Sequence, residues 1–495
     1  MADTALLSGD ARLLTLKIAA PGVAAMLASS ACQLFEALVL AQNDTPLSAA
    51  VGACLALILL EQTVGFTLGM GAGSFVSRCI GQSSVRHTSS SARQSHREAA
   101  GRAAGAAFFS ALLLSGLLLI GGFFLAAPLL RLLGAPESAV SAGVPYARYV
   151  LASGPPLCGG LVLGSLLRAQ GKTLPNMAAA LVGSSLGAAL LAALCLRLNL
   201  GVHGAGIAML ARETAVFVVL LGYALRHGEL IRPSLRRARF TLPVFAEIMR
   251  YGLPTLLRQG ATSLSAAMLS RVSAEFGAPV LAGMGLCARA VMPFTSAVIG
   301  FGQGFQPVCG AAFGAKQTAR CQTAYRFCQR VLLVFSLAVG AAVFAFAPAL
   351  TARFAHDAQT ADVAGSALRL QSAVFCAERR HFDDHAHPIA WADRPRRARR
   401  HKPTGAFPSS TADASAACFR PLGAACVPER QRRDFACFLV AADAKGLSPF
   451  PVHAVFLPSR RGQPSADGGR VTAQIFLVRT VRMFGCSDSV PITST

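Results

Sequence analysis

Long runs of uncharged, mostly apolar residues recur along the 495-residue chain: Ala103–Leu130, Tyr149–Leu167, Thr173–Leu196, Ala290–Ala315 and Val331–Ala352. Each matches or exceeds the roughly 20 residues that a helix needs to cross the hydrocarbon core of a bilayer. Helices of soluble cores seldom sustain such runs, because most must turn one polar face to water. Ten helical segments are predicted in all, near residues 13–40, 46–70, 101–130, 145–167, 175–197, 204–225, 244–271, 278–305, 327–352 and 363–376. The pattern is that of an all-α, polytopic membrane protein.

The polar stretches between these segments alternate in charge. "SRCIGQSSVRHTSSSARQSHREAAGR", "LRAQGK", "RHGELIRPSLRRARF" and "GAKQTARCQTAYRFCQR" are rich in Arg and Lys, whereas "AQNDTPLSA", "LGAPESAVSA", "LNLGVHG", "AEFGAP" and "AHDAQTADV" contain neither. Basic loops stay on the cytoplasmic side, so the N-terminus is expected inside and the protein in the cell (inner) membrane. The formal net charge of +23 then follows topology and calls for no nucleic-acid partner. Only 14% of residues are charged, against about 25% in soluble domains. "MADTALLSGD" has no basic leader, so the first hydrophobic segment is expected to remain as an anchor. The 14 cysteines form no C-x-x-C pair, and neither a disulfide framework nor a zinc site is expected.

Two glycine clusters stand 231 residues apart: "GMGAG" at Gly69–Gly73 and "GFGQG" at Gly300–Gly304. The second does not spell a phosphate loop, since Gln317 stands where Ser or Thr would be needed. Each cluster ends a hydrophobic segment and runs into a basic loop, where glycine lets helices approach closely. The echo points to two related helical bundles.

"GFGQGFQPVCGAAFGAKQ" resembles the end of the eighth helix in the multidrug and toxic compound extrusion (MATE) family. "GMGAGSFVSRCIG", "LRAQGKTLPN", "GVHGAGIA" and "YGLPTLLRQG" are similar to that family's corresponding stretches, in order. The resemblance covers roughly residues 15–375. It implies two pseudo-repeated bundles on a twelve-helix plan, about ten helices of which are recognisable here. It also implies a central cavity, no cofactor, and export of organic cations or amphipathic drugs driven by a proton or sodium gradient. The expected organisation is a six-helix lobe over residues 1–225, an incomplete C-terminal lobe over 226–376, and a tail over 377–495.

That tail has no apolar period, carries sixteen Arg against two Lys, and holds the single tryptophan, Trp391. It reads as a shifted reading frame, a disordered segment, or a small binding domain. "HFDDHAH" (His381–His387) spaces two histidines four apart, but with no sign of a helix around it no metal site is assigned.

Ionisable groups inside a membrane are expensive and are therefore the first candidates for ion coupling. Three acids qualify: Glu36, Glu61 and Glu213. The resemblance puts an aspartate where Glu36 stands; alternatively Glu36 snorkels at the outer interface. Carboxylates taken out of water hold protons more readily, which suits exchange of a proton for a cation. Glu213 follows Arg212, and since adjacent helix positions do not face each other, their partners are expected on other helices. The pair is read either as a coupling element or as simple neutralisation. Glu61, with Gln259, Gln303 and Gln306, is a candidate for the substrate cavity; polar contacts between helices are the other reading of all four. The family places Asn, Asp and often Thr where Gly187, Leu191 and Met209 stand, so three oxygen-bearing positions of a cation site are apolar here.

The expected function is a secondary antiporter of organic cations, and no enzyme: no nucleophile, base and orienting acid cluster in any motif. A lipid-linked precursor flippase and an inactive remnant are the alternatives. The expected partners are the bilayer and a small cationic or amphipathic substrate, with the protein acting as a monomer. If the alternation of basic loops sets the topology, single-cysteine labelling should find the loop around Arg236 inside and that around Glu137 outside; the reverse pattern would overturn the helix count.

Overall fold

In the computed structural model the described residues are 6–7, 9–42, 45–85, 88–132, 137–227, 242–275, 278–354 and 358–374. They are helical almost throughout. The order is α1 (Ala11–Gln42), α2 (Thr45–Ser83), α3 (Ser90–Phe124), a short α4 (Ala126–Leu132), α5 (Glu137–Ala169) and α6 (Leu174–Leu191). A π-helical turn over Ala192–Arg197 continues α6, and then come α7 (Gly201–His227), α8 (Leu242–Glu275), α9 (Ala278–Gly314), α10 (Thr318–Phe354) and α11 (Ala358–Val374). The expected tail, including His381–His387, and the basic loop around Arg236 lie outside the described residues.

The ten predicted segments correspond to the ten long helices, because helix is the one open structure that satisfies every backbone group within a single segment in lipid. Seven of them are long and apolar enough over their described residues to cross a membrane. Two departures from the expected boundaries are informative. The third segment, predicted to run through residue 130, breaks at Leu125, and α4 starts afresh with Pro128 in its first turn, where the missing N–H is tolerated. Conversely α2, predicted to stop near residue 70, continues to Ser83. Its extra turns carry Ser74, Ser77 and Arg78, which the apolar count discounts, but packing against α9 holds them in register.

In the first bundle α5 is the central helix, packed against α2, α3 and α7. It supplies Tyr146, Leu151, Leu163, Leu166 and Leu167 to the fully buried core. Large apolar side chains face outward elsewhere, among them Leu117, Ile120 and Phe124 on α3 and Val334, Phe344 and Phe346 on α10. A soluble protein would not leave such stripes bare; lipid covers them.

The two bundles meet through α1 against α9, α2 against α8, and α2 against α9. The contacts concentrate at the end that carries the basic loops, and both glycine clusters lie there. Gly71 faces the Ile248 carbonyl of α8, while Gly300 and Gly304 face Gly22, Val23 and Ala19 of α1. Thus the second long helix of each bundle lies on the first helix of the other, as a two-fold repeat requires. Parallel to this, α2 and α9 touch along Gln306, whose amide donates to Ser74 Oγ at 2.7 Å, and at Gly81, which faces the Ala311 carbonyl. Ser30 and Ser296 share a hydrogen bond further along α1 and α9. Arg78 closes the same end by donating to the Tyr251 hydroxyl at 2.7 Å.

A Cβ on Gly81 would overlap the Ala311 carbonyl, whereas one on Gly116 of α3 meets nothing within 4 Å. Gly81→Val should therefore lower the thermal stability of the detergent-purified protein by about 1–3 kcal/mol, the usual cost of overpacking. Gly116→Ala should leave it unchanged or slightly raised, and equal effects of the two changes would contradict the packing described.

Candidate functional site

Arg212, midway along α7, is the centre of a three-residue charge cluster. Its Nε and Nη2 donate to Glu213 Oε1 at 3.0 and 2.9 Å, and its Nη1 donates to Glu36 Oε2 of α1 at 3.4 Å. The side chains of Arg212, Glu36 and Glu213 keep only 16, 19 and 13% of their surface exposed. Two carboxylates and one guanidinium leave the ionised cluster with one negative charge in excess.

The structure corrects one expectation here. Arg212 and Glu213, being adjacent, were expected to find partners only on other helices, yet the long Arg212 side chain folds back to its own neighbour and also reaches α1. Backbone positions that diverge can still meet when one side chain carries several rotatable bonds.

Why the guanidinium fits is visible on α6. A Cβ on Gly187 would stand 3.0 Å from Arg212 Cβ and 3.2 Å from its Cγ and Cδ. The missing side chain leaves the groove in which the aliphatic stem of Arg212 lies. Leu191, one turn on, is buried, as is Met209, whose sulfur accepts the Tyr146 hydroxyl at 3.4 Å. The same hydroxyl faces Glu36, and Cys32, one turn before Glu36, faces Arg212. Of the three apolar replacements noted in the sequence, Gly187 lies directly against this internal cation, and Leu191 and Met209 are buried on the same two helices, α6 and α7.

The two carboxylates are not held alike. Glu213 receives two short contacts and Glu36 a single long one, at the outer limit of hydrogen-bonding distance. Arg212 and Glu213 form the tighter unit, and Glu36 is the more loosely held acid.

Glu61 lies apart from this cluster. It is fully buried on α2, with its carboxyl over Gly154 of α5, and neither oxygen has a hydrogen-bond partner among the described residues. Gln303 and Gln306 are also buried; Gln306 bridges α9 to α2 through Ser74 and the Met70 carbonyl. Gln259 on α8 is half-buried. The cavity wall expected from Glu61, Gln303 and Gln306 is thus packed between helices in this conformation. Sequence reasoning missed Gly187 and Gly154 as the residues that make room for ionisable side chains, since each glycine and the group it accommodates lie on different helices.

Paired helical bundles of membrane-spanning length with a buried charge cluster between helices are a plan that many transporters use. The MatE family model matches residues 21–193 and 254–377, more than half of the chain. This chain belongs to the MatE family, whose members are multi-pass membrane transporters. Its fold is similar to that of a MATE protein crystallised in the straight conformation, at 22% identity and a TM-score of 0.70, covering 85% of this chain and 87% of that one. A MOP superfamily transporter from Pyrococcus furiosus Vc1, described as having a binding pocket of reversed polarity, matches at 20% identity and a TM-score of 0.71 over 98 and 97% of the two chains. An outward-facing multidrug resistance MATE family transporter matches at 21% identity and a TM-score of 0.69 over 85 and 87%. No curated protein sequence matches.

Removing the guanidinium should leave two like charges facing each other in a largely dry site. Arg212→Ala is expected to lower stability by about 2–3 kcal/mol, near the lower end for a broken buried pair because the site retains some exposure. Adding Glu36→Gln and Glu213→Gln to that variant should restore most of the loss in a thermal melt. Equal stability of Arg212→Ala and the parent would show that the cluster is not electrostatically coupled.

Proposed function

We propose that this transporter is a secondary antiporter that exports organic cations or amphipathic compounds in exchange for protons. The observation that carries this reading is the occupancy of the charge cluster by Arg212. Sodium is held by several oxygen ligands, and a site deep in a bilayer must draw most of them from the protein. Gly187, Leu191 and Met209 offer none from their side chains, and Arg212 already engages both acidic side chains of the cluster, Glu36 and Glu213.

A proton needs no coordination shell. It can neutralise Glu36 and release that residue's weak contact with Arg212 while the tighter Arg212–Glu213 unit stays intact. A cationic substrate can take the place of the proton, because both compete for one carboxylate. Glu36 and Glu213 are accordingly the ion-coupling pair, with Arg212 as the resident counter-charge that keeps the empty site from carrying two bare negative charges.

The test is ethidium efflux from proteoliposomes under an imposed proton gradient, with sodium varied independently. Efflux should follow the proton gradient and ignore sodium. Glu36→Gln, which fixes the neutral form, should reduce it to the level of empty vesicles without altering the amount of protein inserted. Dependence on sodium at a fixed proton gradient, or full activity of Glu36→Gln, would overturn the reading.

A further inference from the structure

Glu61 raises a question that the Arg212 cluster leaves open. An ionised carboxylate with no partner is costly in an interior of low dielectric, by several kcal/mol even after local relaxation. A neutral carboxylic acid without an acceptor costs far less. The facing groups add to the difference: Glu213 on α7 lies within electrostatic reach, and Cys158 on α5, whose thiol donates to the Glu61 carbonyl at 3.3 Å, supplies no positive charge. Among the described residues, this packing offers an ionised Glu61 neither a hydrogen bond nor a compensating cation.

The site is also shaped to the carboxyl. A Cβ on Gly154 would stand 2.6 Å from Oε1 and 3.0 Å from Cδ. A leucine at position 61 would suit the surrounding apolar side chains without the cost of an unbonded polar head. Intramembrane acids kept in such places serve ion movement far more often than packing.

Position along α2 supplies the link to movement. Six and ten residues beyond Glu61, Thr67 and Gly71 lie against Gly252 and Ile248 of α8; Ser74, Arg78 and Gly81 follow against α9. The nearest of these contacts is about 9 Å away and Gly71 about 15 Å, at 1.5 Å per residue. Any separation of the bundles must release this half of α2 from α8 and α9, and it brings the opened seam to within about 9 Å of Glu61 along the helix.

We propose that Glu61 is a second proton-binding group of this transporter, protonated while α2 is packed on α8 and α9 and ionised when that seam opens to water. The proposal rests on the proton-antiport reading above. One exchanged proton then resides at Glu36, in competition with Arg212 and substrate, and another at Glu61, where the conformational change itself governs release.

Two measurements on the full-length detergent-purified protein test it. In difference infrared spectra at neutral pH, the parent should show a protonated-carboxyl C=O band that Glu61→Gln removes. In weakly buffered solution, Glu61→Gln should release fewer protons per ethidium bound than the parent, while eluting as the same folded species. A band indifferent to Glu61→Gln, or an unchanged proton count, would overturn the proposal. If the parent binds ethidium without releasing protons, yet shows the Glu61 band, antiport fails and Glu61 stands as a protonated site; the two readings are thereby separable.

Discussion

Lipid tails are as apolar as leucine, so helices within a bilayer gain little by burying apolar side chains against one another; they adhere where their backbones come close and where polar groups pair across the gap. The glycine seams that join the bundles among the described residues obey that constraint. Gly71, Gly81, Gly300 and Gly304 each remove a side chain where another helix passes, and the crossing partners are themselves small or offer backbone: Gly22, Ala19, Ala311, Gly252. The polar pairs Ser30–Ser296, Gln306–Ser74 and Arg78–Tyr251 bridge the same seams. Much of the apolar bulk is turned outward or packed around α5, and Ile248, Phe301, Phe305 and Val308 of the second bundle add to a buried cluster shared with α2.

The same constraint governs the ionisable groups. A buried charge must be neutralised by a partner or by a proton, and the acids here differ in what they are given. Glu213 and Glu36 share one cation, Arg212, which a glycine on α6 admits; among the described residues Glu61 is given none, only the room left by Gly154. Glycine therefore has two jobs in this chain, and they are physically one. Deleting a side chain opens a channel of about a methyl group's width, which either a helix backbone or a long polar side chain can enter.

How much of this was legible in the sequence depends on the range of the interactions involved. The ten helices are local in origin: uncharged runs of bilayer length leave the backbone no other option, and the glycine echo marks the ends of α2 and α9. The extension of α2 to Ser83 was not legible, because its polar last turns are held by α9, more than 200 residues away. Within the site, Glu36, Glu61 and Glu213 stand out as acids in apolar text. What cannot be read there is which of them has a partner. Gly187 shows only as a lost oxygen ligand until α6 is laid beside α7, when the loss becomes the space for Arg212. The inward-facing glutamines were ambiguous for the same reason, since cavity lining and helix adhesion ask for the same chemistry.

These pieces converge on α2. It packs against α5 within its own bundle and against α8 and α9 across the seam. If Glu61 gives up its proton when that seam admits water, as proposed above, linkage requires that ionising Glu61 favour the open arrangement by the same free energy. On that reading a proton at Glu61 biases the bundle equilibrium without touching the substrate, whereas one at Glu36 competes with the substrate directly. Antiport by this route would need both, because a carboxylate that only competed for binding would leave the bundles free to move while empty.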